Sequence, residues 1–381
     1  MDRVNIVILA DETQYRAKVK NKLADPTLAI VGYSDFNEES KLKIEGYFPD
    51  VVICAVDSSS IDDALFTFIK GLQFQSTGTA VVMMTDRVTV ELVNEAAKVG
   101  IRQVYSFDMT PEDFSAGIKE VYTLEQQLLG QLKIEKKVRS KVIGFYGVKG
   151  GAGTSSLVTN TAVTLANKGK KVLLLDFNLQ FGNDNFFLNI DPKDTIVELA
   201  RDPEGISIEK VNSTAEMHST GLNILCAPKA PEFAEYVTSQ HIQKIIENVR
   251  PYFEYILIDL GANFADQTLT ALENCDEIHL ITNLDILCLR GLKCSMNVLD
   301  NLRVADKVKL VFNKLTTSLL KVKDFENLIE RHAYATICSD RRICTNALNS
   351  GLTYVTDQPR SSVSKDVVKY ADKIITEKEH V

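Results

Sequence analysis

The stretch Lys149-Gly150-Gly151-Ala152-Gly153-Thr154-Ser155 governs how the rest of the chain is read. Before it runs an apolar segment, Val142 to Tyr146. After it, Leu157, Val158, Ala162, Leu165 and Ala166 recur at helical spacing. A strand, a run of glycines and a helix opening on hydroxyl residues is a physical recipe for holding phosphate. Glycines let the backbone wrap closely, so that successive N–H groups face one anion. The helix start adds unpaired donors and the positive end of its dipole. The predicted cradle is Gly150, Gly151, Ala152, Gly153, Thr154, Ser155 and Ser156. The bland alternative is a tight glycine turn, and the strand-to-helix context weighs against it.

In the ordinary phosphate-binding loop a lysine precedes the hydroxyl that ligates Mg²⁺. Ser155 holds the hydroxyl position, Thr154 stands where the lysine is expected, and a lysine lies earlier, at Lys149. This run resembles the deviant Walker A loop of the ParA/MinD superfamily. The resemblance implies ATP and Mg²⁺ as ligands, and a Lys149 that reaches across a homodimer to the partner's nucleotide. Two later strands end in acid, at Asp176 and at Asp259. Asp176 is similar to the first aspartate of the family's Asp-x-Asp, and Asp259 to the Walker B aspartate. Ser155, Asp176 and Asp259 are therefore the implied metal site, the aspartates acting through water. Asn313-Lys314, ending the apolar strand Lys309–Phe312, matches the strand end that contacts adenine in this superfamily, and Asp340 takes a similar base-edge position.

Lys149 and Asp176 are the catalytic candidates, but two features argue for weak hydrolysis. Thr154 removes a positive charge from the phosphates. The second aspartate of the family's pair is Asn178, which can orient water but cannot accept its proton. Phosphoryl transfer depends on such positioning and charge. Nucleotide binding with slow or negligible turnover is expected.

The first third alternates short apolar runs with helical patterns, the signature of βαβ units and a parallel sheet. Strands are expected at Asn5–Ala10, Ala29–Tyr33, Val51–Val56, Ala80–Thr85 and Gln103–Phe107. Pro111 to Tyr122 should close that part as a helix. The order suggests a flavodoxin-like domain and resembles a response-regulator receiver, with Asp11-Glu12 after the first strand and Thr85 ending the fourth. The phosphoacceptor position, however, is Ala55, and the lysine position after the fifth strand is Phe107. Without the carboxylate there is no nucleophile to take up phosphate. Asp57, two residues on, is a weak substitute. Asp11 and Glu12 read as solvated loop acids, and the domain as a docking or dimerising module without a phospho-switch.

The expected organisation is α/β throughout: an atypical receiver-like domain over 1–122, a linker helix over 123–140, and a doubly wound P-loop ATPase domain over 141–381. In the linker, Lys133, Lys136, Lys137, Arg139 and Lys141 form a basic run, read as a solvated face. With 381 residues, 45% hydrophobic and 25% charged, the chain can bury two cores. A net charge of −8 argues against broad attraction to nucleic acid or anionic lipid. There is no long apolar run and no signal-peptide layout at Met1-Asp2-Arg3, so membrane contact is expected to be indirect only. Seven scattered cysteines and five separate histidines show no metal-ligand spacing and suit a reducing, cytoplasmic location.

An atypical receiver joined to a deviant Walker ATPase covers nearly the whole chain and resembles the CpaE/TadZ proteins of Tad (Flp) pilus assembly. Asp176-Phe177-Asn178-Leu179-Gln180-Phe181-Gly182 is close to that family's version of the loop. The resemblance implies an ATP-binding homodimer that marks a cell pole and recruits pilus and secretion machinery. The alternative is a ParA/MinD-type positioning ATPase acting on DNA, the division site or flagella. Iron–sulfur carriers share the loop, but Cys288/Cys294 and Cys338/Cys344 are spaced too widely for a bridging cluster.

Overall fold

Short β-branched runs bounded by turns become the strands of two separate sheets. The computed structural model describes residues 4–75, 78–132, 138, 140–202 and 205–379, and the chain divides into two units, one ending at Arg139 and one beginning at Ser140. In the first unit, β1 (Val4–Leu9), β2 (Leu28–Ser34), β3 (Val51–Ala55), β4 (Ala80–Thr85) and β5 (Gln103–Ser106) pair in parallel in the order β2-β1-β3-β4-β5. This is a doubly wound order. The crossovers are α1 (Thr13–Lys22), α2 (Glu38–Gly46), α3 (Asp63–Gln75) and α4 (Val90–Lys98), and α5 (Pro111–Leu132) follows β5. Side chains alternate across each strand. Ile6, Ile8 and Ile53 pack with Phe114 and Ile118 on one face. Val7, Leu9 and Val52 pack with Ile69 and Leu72 on the other. Both faces are covered, so the strands read as nearly continuous apolar runs.

Two expectations need correcting here. The helix beginning at Pro111 does not close at Tyr122 but runs unbroken to Leu132, so the first part of the expected linker belongs to the first unit's last helix. Thr123 to Gln131 contains no proline, and Glu125 anchors the extension by pairing with Arg102 at 2.7 Å. The basic run is also not a single solvated face. Lys141 is buried and pairs with Glu277 at 3.0 Å, while Lys133, Lys136, Lys137 and Arg139 lie outside the described residues.

In the second unit, β6 (Lys141–Gly147), β7 (Val172–Phe177), β8 (Glu216–Met217), β9 (Asn223–Leu225), β10 (Tyr255–Leu260), β11 (Glu277–Thr282), β12 (Val308–Leu315) and β13 (Ala333–Cys338) form one sheet. Its order is β13-β12-β11-β6-β10-β7-β9-β8, parallel except for the β8–β9 pair. After β6 the chain builds outward on one side, then returns to build on the other. β6 is thus the switch point, and doubly wound sheets open a ligand crevice beyond the strand ends there. One face packs Leu173, Leu175, Ile256 and Ile258 against the helix Ser239–Val249. The other packs Phe145, Leu174 and Leu257 against α6 (Thr154–Asn167) and the C-terminal helix Ser362–Glu379. That last helix buries Val367, Tyr370, Ala371 and Ile374 in the core. Among the described residues, no helix is long and apolar enough to cross a membrane.

Candidate functional site

The glycine stretch leaves β6 at the switch point and leads into α6. Gly151 and Gly153 adopt φ of +80° and +91°, a region closed to most side chains. Gly153 is the N-cap of α6 and supplies no side-chain cap, so the first N–H groups of the helix are left for an outside acceptor. A Cβ at Gly150 or Gly151 would meet nothing within 4 Å, so the cradle is open there. Thr154 folds away from it: its Oγ1 lies 2.4 Å from where a Cβ on Gly147 would sit.

The carbonyls of the loop are held from the far side. Asn313 Nδ2 donates to Ala152 O at 3.0 Å and to Gly153 O at 3.3 Å. Lys314, at φ +53°, donates its ammonium to Gly151 O at 2.8 Å. Asn283 at the end of β11 donates to Asn313 O at 2.9 Å. These contacts fix the carbonyls of Gly151, Ala152 and Gly153 from outside the loop. Asn313 thus braces the loop through its side-chain amide. Asp340 accepts from Ile343 N at 3.0 Å and caps the helix Arg341–Asn349. Lys149 Nζ pairs with Asp285 Oδ2 at 2.9 Å within the same chain. The contact raises the lysine's pKa, and Asp285 also caps the helix Ile286–Asn301.

Beneath the loop lie carboxylates. Asp176 and Asp259 are register partners on neighbouring parallel strands, so both point to the α6 face. Ser155 Oγ donates to Asp259 Oδ2 at 2.6 Å. A third acid joins them: Asp184 opens α7 (Asp184–Phe187) and accepts from Thr159 Oγ1 at 3.2 Å, one turn below Ser155. One oxygen from each of Asp176, Asp184 and Asp259 lies within 4.8 Å of the others. Asp176 accepts from Asn178 N and Asp184 N, both at 3.2 Å. Gly182 closes against it, since a Cβ there would fall 2.4 Å from Asp176 Oδ1. Burial pushes the Asp176 carboxyl up to about 7, and burial plus the neighbouring charges pushes Asp184 and Asp259 well above the usual range. Asp184 Oδ2 and Asp259 Oδ1 are buried with no hydrogen-bond partner. Orphaned hard oxygens beside a serine hydroxyl fit Mg²⁺.

Sequence reasoning named Ser155, Asp176 and Asp259 and missed Asp184, Asn283 and Asp285. Asp184 follows Gly182-Asn183 and reads as an ordinary acid at a helix start, so no local signal marks it. In the first unit, Phe107, where a lysine was expected, takes part in aromatic packing. Phe107 stacks on Tyr15 with centroids 5.4 Å apart. Tyr15 OH donates to Asp57 Oδ2 at 3.1 Å, and Ser59 N donates to Asp57 Oδ1 at 2.9 Å. Asp57 is thereby tied to its own turn, and Ala55 is buried.

Residues 140–312 match the family model described as an AAA domain. The sporulation initiation inhibitor protein Soj of Bacillus subtilis is 27% identical over 187 residues, 47% of this chain and 69% of Soj. The septum site-determining protein MinD of Synechocystis is 21% identical over 230 residues, 58% of this chain and 84% of MinD. Among solved structures, a ParA family ATPase from Chlorobium tepidum covers 61% of this chain and 98% of its own, at TM-score 0.59 and 22% identity. The Pyrococcus furiosus cell division ATPase MinD covers 62% and 99%, at TM-score 0.56 and 25% identity. The second unit therefore has the α/β fold of these ParA and MinD structures.

Proposed function

We propose that the second unit binds ATP·Mg²⁺ on the loop Gly150–Ser156 and uses the nucleotide to govern the pairing of two copies. The observation that carries this is the uncapped start of α6, its loop carbonyls braced by Asn313 and Lys314 and its Ser155 resting on Asp259. Ser155, Asp176 and Asp259 would hold the metal, which supplies charge neutralisation on the phosphates. A MinD of Pyrococcus horikoshii, with TM-score 0.55, was solved with Mg-ADP, which supports the same ligand class here. Asn313, Lys314 and Asp340 frame the base edge.

Pairing runs through Lys149. In the single chain its ammonium rests on Asp285. In the paired state it exchanges that carboxylate for the partner's phosphates, a charge-assisted contact contributing on the order of 1.5–3 kcal/mol. Ile286 and Leu287, beside Asp285, are 65% and 64% exposed and offer apolar area to a second copy. Thr154 and Asn178 leave turnover slow.

The chain is read as a cytoplasmic positioning protein. The finer assignment, recruitment of Tad pilus machinery at a cell pole, is supported by the Asp176–Gly182 phrase and by a first unit read as a flavodoxin-like receiver that has lost its phosphoacceptor. Partitioning of DNA or of division sites is the second reading, favoured by the Soj and MinD relatives. Light scattering with and without ATP·Mg²⁺, on wild type and Lys149→Ala, tests the central step. Nucleotide-dependent dimerisation lost in the variant is expected, and insensitivity to both sinks it. ATP-dependent DNA binding that falls steeply with salt would favour the second reading.

A further inference from the structure

A nucleotide-borne Mg²⁺ is ordinarily held by one or two carboxylates together with phosphate oxygens and water. The pocket under the loop contains three. Asp176 and Asp259 are 1% exposed and Asp184 is 0% exposed. Among the described residues, no lysine or arginine pairs with any of them. Four of their six oxygens accept bonds from Asn178 N, Asp184 N, Thr159 Oγ1 and Ser155 Oγ. The remaining two, Asp184 Oδ2 and Asp259 Oδ1, are buried and unpartnered on different residues of one cluster. Three carboxylates shut away from water without a cation are strongly unfavourable, and removing water makes their mutual repulsion larger.

We propose that Asp176, Asp184 and Asp259 form a divalent-cation site that fills in the absence of nucleotide, with Asp184 as the ligand that frees it from dependence on phosphate. The proposal deepens the nucleotide-site reading and rests on it for the site's use. An all-oxygen, all-carboxylate donor set selects a hard cation, Mg²⁺ or Mn²⁺. Gly182 pressed against Asp176 and the α7 start donating Asp184 N to it hold the acids in place ahead of any ligand. With the cation in place, the negative charge of the acid cluster is balanced before an incoming triphosphate arrives. Cation and nucleotide then strengthen each other's binding by the same factor.

The test is calorimetric titration of MnCl₂ and MgCl₂ into full-length, EDTA-stripped protein without nucleotide, alongside separate titration of ATP·Mg²⁺. The wild type is expected to take up about one ion per chain, and Asp184→Asn to weaken that binding at least about tenfold. A second readout is melting temperature. Mn²⁺ should raise it in wild type and not in Asp184→Asn. No ion uptake by a wild type that still binds ATP·Mg²⁺ overturns the inference and leaves the nucleotide reading standing. Uptake unchanged in Asp184→Asn also overturns it. Uptake that depends on Asp184 in a protein that binds no nucleotide supports the cation site and overturns the nucleotide reading instead. Should the variant not fold, the wild-type titration decides alone.

Discussion

Single residues set the chemistry of the loop, and Gly153 is the most constrained of them. Its φ of +91° excludes a side chain on conformational grounds, and a Cβ would fall 2.5 Å from Asn313 Nδ2 and 2.9 Å from Lys314 Cε. Gly153→Ala should therefore lower stability by about 1–3 kcal/mol. It should also weaken nucleotide binding, because Asn313 and Lys314 are displaced from the loop carbonyls. Urea denaturation and nucleotide titration check both, and an unchanged midpoint would mean the brace does not hold the loop. Gly150 and Gly151 have no neighbour within 4 Å of a Cβ, so the glycines of one motif serve two purposes: close packing at Gly153, and open backbone at the other two. At Lys149 the sequence shows a displaced cation and the structure shows its local partner, Asp285. That pairing spans 136 positions and has no signature in the motif.

Strands and helices place these residues. Asp176 and Asp259 face the same side because β7 and β10 are parallel and in register. That placement was readable from two apolar runs ending in Asp. The opposite end of the sheet is held by a polar network. Lys141 pairs with Glu277 at 3.0 Å, Glu277 meets His279 Nε2 at 3.2 Å, and His279 Nδ1 meets Tyr370 OH from the C-terminal helix. Burial alone would raise the Glu277 carboxyl, but hydrogen bonds and charge from His279 and Lys141 hold it at about 2. A depressed carboxyl stabilises the fold above its unfolded pKa of about 4.5 and loses that contribution as pH falls toward 2. Glu277→Gln should flatten the acid limb of the stability curve between pH about 4.5 and about 2 while costing stability near neutrality. Acid titration followed by circular dichroism measures this, and a limb of unchanged steepness would show that the network does not carry it. The first unit shows an aromatic contact between elements. Just past β5, Phe107 stacks on Tyr15 of α1.

At the scale of the molecule, each unit has its own sheet and its own pair of cores. Residues 140–381 produced alone should fold and bind ATP·Mg²⁺ within about threefold of the whole chain, on the principle that a domain with its own core folds independently. Calorimetry on both proteins checks this, and failure of the fragment to bind would assign the first unit a part in the nucleotide site. The five strands of the first unit, the glycine loop between an apolar strand and a helix, and the placing of Asp176 and Asp259 at strand ends were determined by the sequence, because hydrophobic period, glycine content and terminal acids are local properties of the chain. Asp184, the carbonyl brace of Asn283, Asn313 and Lys314, the hold of Asp285 on Lys149, and the continuation of α5 past Tyr122 were decided only by the tertiary structure. Each of the first three joins residues far apart in the chain, and the helix extension depends on Arg102 meeting Glu125. Such pairings leave no periodicity to read: they arise when parallel strands bring distant loops to one end of a sheet.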